Sequence, residues 1–245
     1  MILNNKNLIK QIAFFTAYLF RHNQDSKVVY YHDAGTQYTD MGTDINLMQK
    51  HIEVIYKSGY TIVPSITRKE GEVMICFDDG WAGIYDHKDF FIAQNIMPTI
   101  FIAVDLIDKE GYLKKEQIKE LEARGFRFEC HTWSHKSLTL FNDEELEHEL
   151  RDSKVMLERI FDHPFTSICY PQGRFSKHIH NKCHDYGYLH QYSSLHGGYY
   201  DLEGKGIICR ICAQFSSPTE LKWMLNGTSR IFRKRLIKQH VKGKL

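Results

Sequence analysis

The sequence lacks a run long enough to cross a bilayer, since its N-terminal apolar stretch, Ile12 to Phe20, is nine residues against roughly 20 for a spanning helix. It also lacks a signal-peptide cleavage pattern, because Arg21-His22-Asn23 follows that stretch where small residues are needed. With Lys6 and Lys10 ahead of the apolar residues, residues 1–26 read as an amphipathic helical extension that packs on the body or rests on a membrane surface. A disulfide framework is missing as well. The six cysteines are scattered through apolar segments of a long chain, which is the pattern of reduced thiols. These absences favour a cytoplasmic protein at the membrane face, with export as the alternative.

Net charge is nearly absent: 32 basic and 30 acidic side chains leave +2, so bulk charge excludes a polyanion binder and with it nucleic acid as a partner. No internal repeat or low-complexity stretch interrupts the chain. Acidic residues are absent from Arg230 onward, where seven basic ones stand. Residues 229–245 therefore read as a basic tail, solvated or touching an anionic membrane or acidic glycan.

What is present is an alternation of short apolar runs with helical patterns from Lys27 on, the rhythm of βα units around a parallel sheet or barrel. Strands are expected at 28–32, 60–63, 73–77, 99–104, 126–130, 166–170, 188–193 and 207–213. Helices are expected between them, the longest opening at the N-cap Asn142 with acids in its first turn and running to about Phe161. Within the last strand Cys209 and Cys212 fit C-x-x-C, but residues three apart on a strand face opposite ways. They read as core cysteines.

The chemistry gathers at strand ends. Ile75-Cys76-Phe77-Asp78-Asp79-Gly80 places two adjacent carboxylates there, costly to bury unless a cation compensates or one takes a proton. His131-Thr132-Trp133-Ser134-His135 follows another strand. One helical turn after that strand would bring His131 and His135 to one side, and Asp79 could complete a His₂-carboxylate set with a position left for water and substrate. Thr132 stands where a zincin motif requires glutamate, which excludes that reading. Asp78 is then free to act as a base. Pro171-Gln172-Gly173 ends a further strand in a turn whose backbone N–H, that of Gln172, could face an oxyanion.

Together these segments resemble the polysaccharide deacetylase superfamily, the carbohydrate esterases of the chitooligosaccharide deacetylase type. Phe77-Asp78-Asp79-Gly80 matches its F-D-D-G motif, His131 to His135 its H-[ST]-x-x-H motif, and Tyr170-Pro171-Gln172-Gly173 the Y-P-x-G form of its third motif. The resemblance implies an α/β fold, a distorted, incomplete (β/α) barrel, over residues 27–228. It implies Asp78 as general base and Asp79, His131 and His135 as ligands of one divalent metal, zinc first, with cobalt, nickel or iron also accepted by relatives.

Many relatives carry an arginine two residues before the proline of the third motif, where this chain has Cys169; Arg210, in a segment like the later L-P-R-I of the same subgroup, could supply that charge instead. Tyr31-His32-Asp33 resembles the opening of a circularly permuted subgroup, which makes His32 the candidate general acid and His196 its rival. Tyr31, Trp81 and Trp133 are candidate sugar-binding aromatics, and Tyr170 and Pro171 shape the third motif. The implied function is hydrolytic removal of acetyl groups from N-acetylated amino sugars of a bacterial surface glycan or its precursor. An O-acetyl carbohydrate esterase, a catalytically silent glycan-binding module and a small-substrate amidase are the alternatives.

Overall fold

The computed structural model describes residues 12–16, 18–19 and 23–243. Nine short strands form one parallel sheet: β1 (Lys27–Tyr31), β2 (Thr61–Ile62), β3 (Glu72–Phe77), β4 (Thr99–Ile102), β5 (Arg127–Cys130), β6 (Ser167–Cys169), β7 (His190–Tyr192), β8 (Ile207–Ile208) and β9 (Ile211–Cys212). They pair in the order β8-β7-β6-β5-β4-β3-β1-β9, with β2 beside β3. β8 and β9 are two halves of a single stretch. The first half pairs with β7 and the second with β1, so the sheet curls until its two edges share one segment. This is the distorted, incomplete (β/α) barrel expected, with the expected last strand divided in two at Cys209-Arg210.

Period-two alternation sorts the side chains of this barrel. Val28, Tyr30, Met74, Cys76, Phe101, Cys169, Tyr192 and Ile208 pack together on one face of the sheet. Val29, Tyr31, Ile75, Phe77, Cys209 and Ile211 belong to the larger cluster shared with the helices. Cys209 lies in that larger cluster and Cys212 packs against the smaller one, so the C-x-x-C sulfurs are divided between layers as strand geometry requires. All six cysteines are unpaired.

Helices lie between the strands: Ile45–Lys57, Lys115–Ala123 and Lys177–Asp185 among them. Asn142 caps its helix as read from the sequence, and Glu145 completes the capping box. That helix is not uniform. Asp143–Glu147 passes into a π-helical turn, His148–Asp152, before Ser153–Phe161 resumes α geometry.

Where they are described, the terminal segments pack on the body of the domain. Residues 12–16 and 18–19 are helical and Phe14 is buried, its ring 5.5 Å from that of Phe232; Lys6, Lys10 and the rest of the stretch lie outside the described residues. Arg233–His240 is a helix, and Val241–Lys242 pairs in parallel with Phe175–Ser176. Arg230 and Arg233 are held by Asp201, and Arg230 also by Asp25. The basic residues are thus partly built into the fold, because ion pairs with upstream acids replace solvent. Among the described residues no helix is long and apolar enough to cross a membrane.

At the first residue of β1, Lys27 is 1% exposed. Its Nζ donates to Asn23 Oδ1, the Asp25 carbonyl and the Tyr60 hydroxyl at 2.9, 2.6 and 3.1 Å. Burial pulls its pKa from 10.5 down to about 7, against the opposing charge of Asp25. The unfolded chain then binds more protons than the folded one between pH 7 and 10.5, so this group adds stability as pH rises through that window. We predict that wild-type Tm gains on that of Lys27→Met as pH goes from 7 to 10, measured by calorimetry. A constant difference across that range would refute the lowered pKa of Lys27.

Candidate active site

A cavity of about 340 Å³ opens where several strands end, lined by His32, Asp78, Asp79, His131, His135 and Gln172 among others. A second cavity of about 370 Å³, between Phe175, Lys177, His180 and Lys205, has no carboxylate on its wall. The first is the one where acid-base and ligand groups converge.

Asp78 continues the inward parity of Met74 and Cys76 and is 4% exposed. Arg210 meets it with two parallel bonds, Nη1 to Oδ1 at 2.7 Å and Nη2 to Oδ2 at 2.8 Å. The guanidinium is itself fully buried, donates from Nε to the Ser193 carbonyl at 2.9 Å, and lies 4.1 Å from the Tyr30 ring centroid. Burial raises the Asp78 carboxyl, but the Arg210 charge and hydrogen bonds outweigh it and hold the group below the ordinary carboxylate range. Cys169, where an arginine was missing, puts its Sγ 3.7 Å from Asp78 Oδ2. The charge arrives from across the barrel instead.

Asp79, at φ 74°, turns its carboxylate away from that pair. Its Oδ1 lies 3.3 Å from His131 Nε2 and 2.9 Å from His135 Nε2, and its Oδ2 accepts from Trp81 Nε1 at 3.2 Å. His131 Nδ1 is 2.7 Å from the Cys169 carbonyl, so that nitrogen carries the hydrogen. With Nδ1 engaged there, Nε2 is the ring nitrogen that His131 turns toward the buried Asp79 Oδ1. Asp79, His131 and His135 offer ligand atoms all within 4.8 Å of one another. A hard-to-borderline divalent cation accepting one carboxylate and two imidazoles fits this donor set.

The two histidines do not share a helical turn as expected. Thr132 and His135 have φ 70° and 61°, and the loop is pinned from outside. Glu149, buried in the π-helical turn, accepts from the Trp133 and Ser134 N–H groups, both at 3.0 Å. The Val104 and Asp105 N–H groups hold the Thr132 and Trp133 carbonyls. An acid 14 residues beyond His135 carries no local sign of this task; the π-helical turn that aims it is visible only in the fold.

The remaining candidates divide. His32 shares the parity of Tyr30, lines the cavity, and hydrogen-bonds through Nδ1 to Oε1 of buried Gln214, a partner that sequence reasoning missed. His196 lines the same cavity. Tyr31 is not at the site: it faces the helix layer, where its hydroxyl meets His51 Nδ1 at 3.1 Å and its ring stacks on Phe77. Tyr30 holds the cavity position instead, by strand alternation. Trp133 is outside the cavity lining and packs on His148, and Trp81 stacks on Tyr112 at 4.1 Å. Tyr170 and Gln172 line the cavity, and Pro171 is buried in a turn where Gln172 has φ 58°.

A family model described as polysaccharide deacetylase matches residues 65–190. The YxkH protein of Bacillus subtilis (strain 168), assigned to the polysaccharide deacetylases, is 28% identical over 151 residues, 57% of this chain and 54% of that one. The chain thus spans about half the length of that curated relative. The fold is similar to the Streptococcus pyogenes deacetylase PplD solved with acetate (TM-score 0.70, 18% identity, 82% of this chain and 98% of that one). It is similar also to IcaB from Ammonifex degensii (TM-score 0.73, 15% identity, 84% and 98%).

Removing one member of a buried ion pair strands the other, at a cost of about 3 to 5 kcal/mol. Arg210→Met is therefore expected to lower Tm by about 10 °C, and Arg210→Lys to recover only part of it because an ammonium cannot form both parallel bonds. Thermal unfolding checks this; an Arg210→Met protein as stable as wild type would contradict the pairing.

Proposed function

The chain belongs to the polysaccharide deacetylase family, and from that premise and the site geometry we propose that it removes acetyl groups from N-acetylated amino sugars of a glycan by metal-assisted hydrolysis. The observation that carries the reading is the division of labour in Asp78-Asp79. One carboxylate is held anionic by Arg210, and the other faces two imidazoles.

Asp79, His131 and His135 would hold the ion, zinc in our reading. When bound, it polarises the acetyl carbonyl and makes a nearby water more acidic. Asp78 takes the proton of the attacking water, and its pairing with Arg210 keeps it available in the basic form. Gln172 lines the cavity, and in this reading its N–H donates to the oxygen that gains charge as the carbonyl becomes tetrahedral. His32 protonates the departing amine. Its Nδ1 is occupied by Gln214, which leaves the opposite ring nitrogen for that transfer. Acetate and the free amino sugar result.

Asp78→Asn is expected to cut acetate release from N-acetylated oligosaccharides by at least about a thousandfold while retaining one metal per chain. His135→Ala is expected to lose the metal itself. His32→Gln should cost about a hundredfold or more, and His196→Gln much less. Acetate assays paired with metal analysis decide these points. Equal release by wild type and Asp78→Asn on every acetylated glycan would favour a binding module, and release from O-acetyl substrates alone would favour an esterase.

A further inference from the structure

Helix Arg233–His240 lies beyond the stretch matched by the family model, yet Leu236 and His240 form part of the cavity wall. His240 Nδ1 stands 3.0 Å from the Gln172 carbonyl oxygen. A carbonyl only accepts, so Nδ1 carries the hydrogen and donates it. Burial lowers the His240 imidazole from its ordinary range, which favours the neutral ring with one N–H.

The peptide held in this way is a strained one. Gln172 has φ 58° and ψ 11° without being glycine, a conformation that persists only where its surroundings over-determine it. The turn closes locally through Gly173 N–H to the Tyr170 carbonyl at 2.9 Å and Arg174 N–H to the Pro171 carbonyl at 3.2 Å. Those bonds leave the Gln172 carbonyl itself to His240. The peptide plane between Gln172 and Gly173 is then fixed at both its polar ends.

Two further contacts lock the helix to the turn. A Cβ at Gly173 would come within 2.5 Å of Ser194 Oγ and 3.2 Å of His240 Nδ1, so only glycine lets these groups close on the turn. Directly past His240, Val241–Lys242 pairs with Phe175–Ser176, two residues beyond Gly173. The C-terminal helix is therefore anchored to the chain on the far side of the turn it braces.

We propose that His240 is a positioning residue of the hydrolytic site: by holding the Gln172 carbonyl it sets the left-handed backbone that aims the Gln172 N–H at the reacting acetyl group. This rests on the deacetylase reading above, in which that N–H stabilises the oxyanion. It makes the helix Arg233–His240 a working wall of the site.

The test compares His240→Ala and His240→Asn with wild type in the full-length, zinc-loaded protein, by acetate release and by amide hydrogen exchange at Gly173 and Arg174. His240→Ala is expected to lower kcat by about tenfold to a hundredfold, keep KM within about twofold and raise exchange at both amides. His240→Asn, which retains a side-chain N–H donor, should restore most of both. Unchanged exchange, an unchanged kcat, or a loss confined to KM in His240→Ala would each overturn the proposal. If wild type and Asp78→Asn prove equally inactive, the deacetylase reading is what has failed, and exchange alone then decides whether His240 holds the turn.

Discussion

The buried ion pair between Asp78 and Arg210 is the contact on which the mouth of the barrel depends. Taking both ions out of water costs several kcal/mol each, repaid only when geometry is good and remaining donors are satisfied. Here two parallel bonds, a third from Nε to the Ser193 carbonyl and the Tyr30 ring satisfy that condition. Without Arg210, burial would push a proton onto Asp78. The same segment also closes the sheet, since Arg210 lies between the half that pairs with β7 and the half that pairs with β1. Barrel closure and the charge state of Asp78 are therefore a single structural event.

The motif loops hold their shape differently. Among the described residues, seven non-glycine positions have positive φ, and four of them are Asp79, Thr132, His135 and Gln172. Each such residue stores on the order of 1 to 3 kcal/mol, and Thr132 is β-branched, for which that region is a true outlier. Strain gathered in the three motifs is held in place by groups outside them: Glu149 under the His131–His135 loop, the Cys169 carbonyl behind His131, and His240 against Gln172. The strained positions are held by neighbours that lie outside the motifs themselves.

Much of this was legible beforehand because it is local. Period-two alternation located the strands and divided Cys209 from Cys212, and Asn142 with the acids after it marked a helix start that the fold retains. The same alternation, applied to β1, would have moved the candidate aromatic from Tyr31 to Tyr30 and kept His32 in place, since residues two apart share a face. The helical turn expected for His131 and His135 failed for a non-local reason: Glu149 and the strand-end amides supply hydrogen bonds that favour a left-handed loop over a helix.

By itself the sequence determined the residue types at the strand ends, the parity that faces them inward and the adjacency of Asp78 to Asp79, since these follow from bonds along the chain. Only the tertiary structure decided their partners. Arg210 reaches Asp78 across 132 positions, His32 meets Gln214 across 182, and His240 meets Gln172 across 68. Such pairings arise when a curled sheet brings its two edges onto one segment and the C-terminal helix folds back over the turn. A hydrogen bond depends on distance in space, and no spacing along the chain encodes that distance until the barrel closes.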